Sequence, residues 1–476
     1  MGGAKGRAEQ GTLWRETRPH TRRWRPVCPQ LRRVQEKARE SKEERFTSLA
    51  HYLTVDALRR AYHRLDRKAA PGIDGVTKED YGQELEANLQ GLHERLKTGK
   101  YRASPVKRVF IEKPDGGKRP LGLPTSEDKI VQGAVVEILN CIYEADFLGF
   151  SYGFRPGRNQ HQALQSLQTA LQKGRVNWVL DADLSKFFDT IDHKELMAVI
   201  ERRVKDRSLL RLIGKWLAAG VVEEDGRRTR AKEGTPQGGV ISPLLANIFL
   251  HHALDAFVHE WRRREAKGEV YIVRYADDFV IACEREEDAR ALLEALDEQL
   301  SRYKLTLNRD KTHLLRFGRK WGGRGGPKPG TFDFLGFTHI AGKDRQGRYL
   351  VRRKTSRKRL RRSAKAMGAW CRKHRHRPMR WLWEELSGKL RSYFEYYGIR
   401  GNFDALARFR QMVWRAWLKA LVRRSQKVNR SRLYRLITEV FILPVPTITH
   451  SEGWLPVYPG YLLGRAGCGN AARPVL

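Results

Sequence analysis

The sequence predicts an α+β protein, and three local patterns carry that prediction. Tyr271-Ile272-Val273-Arg274 and Phe279-Val280-Ile281-Ala282 are β-rich runs on either side of Tyr275-Ala276-Asp277-Asp278, which predicts a hairpin with an acidic tip. The short apolar run Trp178-Val179-Leu180 ends in Asp181-Ala182-Asp183, as a strand does when its last residues reach a cleft. Beyond about residue 346 the pattern turns helical. Phe403, Leu406, Phe409, Val413, Trp417 and Leu421 recur at steps of three or four, with Arg408, Arg415, Lys419 and Arg423 off that stripe.

A hairpin that raises two carboxylates to its tip adds little to a core. It suits divalent cations, because Mg²⁺ takes hard oxygen ligands and keeps positions open for phosphates. An isolated Asp-Asp turn is more simply a solvated loop. Asp181 and Asp183, two apart on one strand face, supply the company that changes this reading. A third carboxylate beside Asp277 and Asp278 would complete a two-metal site, its ions ~3.5–4 Å apart, one activating a 3′-hydroxyl and the other steadying pyrophosphate. Three such carboxylates repel one another, so the site requires metal or a basic neighbour.

Charge points the same way. Lys and Arg total 93 against 54 acidic residues, a formal net charge of +39, which implies a polyanionic partner. Residues 351–380 hold 14 Lys or Arg and no Asp or Glu. Such a run can be a solvated face or a tail, but Trp370, Trp381, Trp383, Tyr393, Phe394, Tyr396 and Tyr397 are interleaved with it or come directly after it. Basic and aromatic residues together suit a structured RNA, through phosphate contacts and stacking. The candidate RNA contacts are Arg352, Arg353, Lys354, Arg357, Lys358, Arg359, Arg361 and Arg362.

Length and composition exclude other classes. A chain of 476 residues with a hydrophobic fraction of 40% supports two to four units with real cores. No run of 18 apolar residues exists; Val240 to Val258 contains Pro243, Asn247, two histidines and Asp255, as a buried helix would, so no membrane partner is expected. Residues 1–33 carry nine basic and two acidic residues, which reads as a loosely ordered extension before an organellar transit segment. The five cysteines, Cys28, Cys141, Cys283, Cys371 and Cys468, include no Cys-x-x-Cys pair, so neither zinc nor a disulfide framework is expected and a reducing compartment fits.

Seven blocks, in order, resemble the reverse transcriptases, most closely the group II intron-encoded reverse transcriptase/maturases. They are Ile111 to Gly122, Ser151 to Arg158, the Asp183 block, Gly234 to Leu245, the Tyr275 block, Asn308 to Thr312, and Phe334 to Phe337. The resemblance covers roughly residues 45 to 455. It implies a right-hand polymerase fold with a helical thumb/maturase (X) domain, an RNA-directed DNA polymerase activity, two Mg²⁺ ions with Mn²⁺ as a substitute, and deoxynucleotides (dNTPs) as substrates. Implied partners are the host group II intron RNA, an RNA template/DNA primer duplex and a DNA target site, in a bacterial cytoplasm as a ribonucleoprotein or at the nucleoid. No HNH endonuclease of the kind many relatives append is expected.

The resemblance also assigns roles. Asp183, five residues before Phe188, becomes the metal-binding aspartate, with Asp277, Asp278 and the main chain of Leu184 completing the ligands. Asp181 is left structural, and Asp189 and Asp192 read as helix-start caps. Phe188 becomes a steric gate against the 2′-hydroxyl, its plainer reading being a core aromatic. Lys113 and Arg119 flank a turn and would meet the triphosphate, or else the template backbone. Gln237 would pack near the nascent pair and Lys311 near the phosphates.

The expected organisation is a basic extension (1–45), fingers (46–172), palm (173–345), helical thumb/maturase domain (346–455) and tail (456–476). Two other functions stay open: a splicing-only maturase, and a domesticated enzyme serving defence or DNA repair.

Overall fold

A computed structural model describes residues 28–112, 117–229, 233–235, 238–319, 328–424 and 429–450. It is α+β, and its chain forms two compact units. One comprises residues Arg22–Arg158 and Trp178–Leu314; the other joins Asn159–Asn177 to the residues from Leu315 onward.

In the first unit, β1 (Val106–Glu112) and β2 (Lys118–Leu123) form an antiparallel ribbon in which Ile111 pairs with Arg119. Short strands β4 (Val221–Val222) and β5 (Arg228–Thr229) extend it. A second sheet holds β3 (Trp178–Asp183), β6 (Val270–Tyr275) and β7 (Asp278–Cys283), with the first residues of β8 (His313–Arg316) on the far side of β3. β7 is an inner strand, antiparallel to both of its neighbours, β6 and β3. Phe279 through Cys283 are completely buried, which explains an uninterrupted apolar run where a half-exposed strand would alternate. The helix Glu286–Arg302 packs on β3 and β7 through Ala289, Leu292, Leu296 and Leu300, spaced to share one helix face.

The part of the expected N-terminal extension that the structure describes is not loose. Val34 and Ala38, four residues apart on the helix Arg32–Glu40, are buried where it packs on the helix Ser126–Asp146. The next segment is held by polar contacts. Asp206 Oδ2 accepts from the amides of Leu49 and Ala50 at 2.6 and 2.7 Å, and Arg203 donates to the carbonyls of Ala38, Ser41 and Glu44. A basic composition alone does not reveal such capping.

One buried cation organises this unit. Arg274 on β6 and Asp255 are both fully buried and paired. The guanidinium spends all five donors: Nε and Nη2 on Asp255 (2.7 and 2.5 Å), Nη1 on Asn247 Oδ1 (3.0 Å) and the Ala276 carbonyl (2.9 Å), and Nη2 also on Ser151 Oγ (2.8 Å). Asn247 lies on the helix Ser242–Leu250, which begins with Pro243 in its first turn and runs through a π-turn, His251–Asp255, into the helix Ala256–Arg264. The extra residue of a π-turn rotates the helix beyond it about the axis, and Asp255 is the residue at its end.

The second unit contains an antiparallel meander of β9 (Thr331–Phe334), β10 (Phe337–Lys343) and β11 (Tyr349–Thr355). Its helices are Gln160–Lys173, Arg357–His374, Met379–Tyr397, Phe403–Val422 and Arg430–Arg435. Leu406, Phe409, Val413, Trp417 and Leu421 are buried as the stripe predicts, and Tyr393 stacks on Phe409 at 3.8 Å. Phe403 departs from the stripe: it starts the helix and is 48% exposed.

The units divide the chain elsewhere than expected at 172/173 and 345/346. The helix Gln160–Lys173 is held to β11 by a 2.7 Å bond from Gln168 Nε2 to the Val351 carbonyl, and His161 stacks on His450. Helix periodicity says which face is buried but not against what. Among the described residues no helix is long and apolar enough to cross a membrane.

Removing one member of the buried pair tests its weight. Asp255→Ala leaves a buried guanidinium without its counter-charge and should lower stability by about 3–5 kcal/mol, read by urea unfolding. A loss below about 1 kcal/mol would mean the cation is compensated otherwise.

Candidate active site

The hairpin forms where expected. Tyr275 pairs with Asp278, so Ala276 and Asp277 are the two residues of the turn, and Ala276 has a φ of 60°. A positive φ at the first turn residue suits the right-handed twist of a two-residue hairpin, though glycine usually supplies it. Here the arrangement is enforced from outside. The Ala276 carbonyl is held by Arg274, and Gly153 lies so close that a Cβ on it would come within 2.3 Å of the Ala276 nitrogen.

The strand pairing brings the distant carboxylates together. Asp183 at the end of β3 is the register partner of Asp278 on β7. All three aspartates are half-buried. Burial pushes the Asp277 carboxyl up from its ordinary value and the charge of Asp183 adds to the rise, while Arg119 and Lys311 oppose it. Asp181 shares the face of Asp183 along the strand.

Lys311 supplies the basic neighbour that the repulsion argument requires. Its ammonium donates to Asp183 Oδ2 at 2.6 Å, and that bond, helped by the charges of all three aspartates, raises its affinity for the proton. The backbone around it is anchored to the same strand: Asn308 N donates to the Asp183 carbonyl, and Ser185 N to that of Thr306. These two bonds flank the bridge between Leu184 and Leu307 and leave Leu184's carbonyl outside them. Lys311 is 65% exposed, so the pair contributes little to stability and can exchange readily.

The hard-oxygen donor set fits a divalent cation in its chemistry. Among the described residues, however, no three His, Cys, Asp or Glu are grouped as ready-made ligands, Asp183 being engaged with Lys311.

The structure also places the other residues singled out from the sequence. Phe188 is half-buried in the short helix Phe187–Thr190, next to Phe187, which is the core aromatic. Thr235 N donates to the Phe188 carbonyl at 2.8 Å, and a Cβ on Gly234 would come within 3.0 Å of that oxygen, so the Gly234 block packs on the Phe188 turn. Arg119 is on β2. Asp192 caps the helix His193–Glu201 as expected, whereas Asp189 lies inside the short helix, which Lys186 precedes as cap. Lys113 and Gln237 lie outside the described residues.

Of the basic run, Arg352, Lys354, Arg357, Lys358 and Arg361 are exposed and Arg359 and Arg362 half-buried. Arg353 is buried at 6%, which corrects its reading as a surface contact: strand alternation turns it inward between Arg352 and Lys354.

Sequence reasoning missed Arg274, Asp255, Asn247, Ser151 and Gly153. A signal existed: an Arg within one apolar run and an Asp within another are two charges in need of each other.

The charge balance yields a stability prediction. A carboxyl whose folded-state pKa is raised contributes stability below its unfolded pKa and loses it as pH rises through the folded value, so ionised Asp277 opposes folding at neutral pH. Asp277→Asn should therefore raise the neutral-pH melting temperature, with the gain vanishing in acid. A lower melting temperature would contradict the burial argument.

Comparisons with known proteins accord with this geometry. A family model for "Reverse transcriptase (RNA-dependent DNA polymerase)" matches residues 111–339. Protein YkfC of Escherichia coli (strain K12) is 37% identical over 278 residues, covering 51% of this chain and 72% of that protein. The group II intron-encoded protein LtrA of Lactococcus lactis subsp. cremoris is 38% identical over 235 residues, 49% of this chain but only 39% of LtrA. Nuclear intron maturase 4, mitochondrial, of Arabidopsis thaliana is 31% identical over 155 residues, 33% of this chain and 19% of that protein. The extent of the match to YkfC, together with a family match whose residues 111–339 include the strands that bear the carboxylates, makes this chain a member of the reverse transcriptase family of RNA-directed DNA polymerases, with similarity to group II intron-encoded proteins.

Proposed function

We propose that this chain extends a DNA primer on intron RNA at the Asp183–Asp277–Asp278 carboxylates, and binds the intron itself to assist its splicing and its mobility into a DNA target site. The single observation that carries this reading is the pairing of Asp183 with Asp278 beside the Asp277 turn, with Lys311 and Arg119 in the same field.

Asp183, Asp277, Asp278 and the main-chain carbonyl of Leu184 would hold two Mg²⁺ ions, or Mn²⁺ in their stead, which when bound lower the pKa of the primer's 3′-hydroxyl and neutralise the leaving pyrophosphate. The protein's own groups do the rest. Lys311 neutralises the Asp183 carboxylate, and its exposed ammonium is a point charge suited to substrate phosphates. Arg119, on the β1–β2 ribbon, would present a forked donor to the triphosphate, with Lys113 as a second cation for it. The half-buried ring of Phe188, on a turn whose Phe188 carbonyl accepts from Thr235 N, would exclude a 2′-hydroxyl and select deoxynucleotides. Gln237 would lie against the nascent pair.

In these terms the first unit corresponds to fingers and palm, and the helices from Arg357 to thumb and maturase domain. The exposed cations Arg352, Lys354, Arg357, Lys358 and Arg361 suit RNA phosphates, with Arg359 and Arg362 at the margin. A chain with these partners would work in the bacterial cytoplasm, as a ribonucleoprotein.

Asp277→Ala tests the polymerase. It should lower cDNA synthesis on a primed RNA template by roughly 10²–10³-fold or more while leaving filter-bound intron RNA nearly unchanged; joint loss of both activities would count against the assignment. Reversal of Arg357, Lys358 and Arg361 to Glu should weaken intron RNA binding and flatten its dependence on log salt by about one unit per lost phosphate contact. An unchanged slope would remove this surface from the RNA interface.

A further inference from the structure

We propose that Phe154 is a base-stacking residue that positions the template–primer beside the catalytic turn. The inference rests on the polymerase reading and adds to it a nucleic-acid contact outside the carboxylate, triphosphate and sugar-gate residues.

Phe154 combines two unfavourable properties. Its side chain is 53% exposed, and its backbone has a φ of 58°, a conformation that a bulky side chain rarely adopts. One exposed aromatic on a surface requires no explanation. An exposed aromatic at a strained position, where glycine would relax the backbone, does.

The residues around it show that the strain is imposed. Tyr152 N donates to the Arg274 carbonyl at 2.9 Å, and Arg158 lies over the Tyr152 ring. The Gly153 carbonyl accepts from Asn247 Nδ2 at 2.7 Å, and its Cα lies against the Ala276 nitrogen. Arg155, nearly completely buried, donates to the carbonyls of Leu148 and Ser151, both at 2.8 Å, and to Glu144 at 2.9 Å. Every neighbour from Ser151 to Arg155 is thus tied into the scaffold that holds the turn bearing Asp277, and the one large ring left outward is that of Phe154.

An exposed ring, rigidly presented a residue away from the contact with the catalytic hairpin, is suited to the face of a nucleobase. Stacking tolerates any base, as a polymerase that copies any sequence requires.

The full-length protein, with a fluorescent RNA/DNA template–primer as probe, tests this by titration without catalysis. Phe154→Ala should weaken binding by about 5- to 150-fold and raise KM for template–primer more than it lowers kcat. Phe154→Tyr and Phe154→Trp should restore binding, and Phe154→Leu should not. Phe154→Gly, which relieves the backbone strain but removes the ring, should weaken binding like Phe154→Ala. Binding within twofold of wild type for Phe154→Ala, or full rescue by Leu, would overturn the proposal. These measurements need no turnover: a wild-type protein that binds the probe but cannot extend it would defeat the polymerase reading and leave the stacking result intact.

Discussion

The guanidinium of Arg274 is the point on which the site's geometry depends. A buried arginine is tolerable only when its charge and all five donors are answered, and here the answers come from four separate parts of the chain: the π-turn aspartate, the helix amide of Asn247, the hydroxyl of Ser151 and the carbonyl of Ala276. Each partner is thereby fixed relative to the others. The last is a member of the turn that carries Asp277, so the cation transmits the rigidity of the core to the one place where an extended loop would otherwise be free to choose its conformation.

Against that rigid frame the carboxylates are left in electrostatic tension. Asp183 and Asp278 face each other across two strands and Asp277 is pushed toward its neutral form, with an exposed lysine as partial compensation. A weak, exposed ion pair is easily surrendered. The arrangement therefore favours whatever brings more positive charge into the cleft, and the strain in the turn and at Phe154 lies in the same few residues. Strain and unfavourable charge concentrated together are what a working site looks like when a stable fold supports it.

Much of this was legible from local pattern. The hairpin, the acidic strand end and the C-terminal apolar stripe each depend on residues within one element, and periodicity reports that well. What depended on pairing between distant elements was legible only where the family resemblance supplied it, as for Asp183 with Asp277 and Asp278. No local feature of Asp183 says that its partner is Asp278, nor does the Asn308 block say that Lys311 will meet Asp183. The helix Gln160–Lys173 belongs to the C-terminal unit because of what it packs against, which its own amphipathic face does not specify. Arg353 was the opposite case: the strand alternation that buries it was present in the sequence, masked by a conspicuous charge run. The buried Arg274–Asp255 pair lay between these, visible as two misplaced charges but not as a pair.

The central claim is that the aspartates of β3 and of the β6–β7 turn form one metal-holding centre. Anomalous diffraction at the manganese edge, from crystals of the protein with a chain-terminated primer, its template and the next deoxynucleotide, tests it most directly. Two manganese peaks ~3.5–4 Å apart, both within ligand distance of Asp183 and of Asp277 or Asp278, are the predicted result. Manganese bound away from these carboxylates, with Asp183 still paired to Lys311 in the ternary complex, would contradict it.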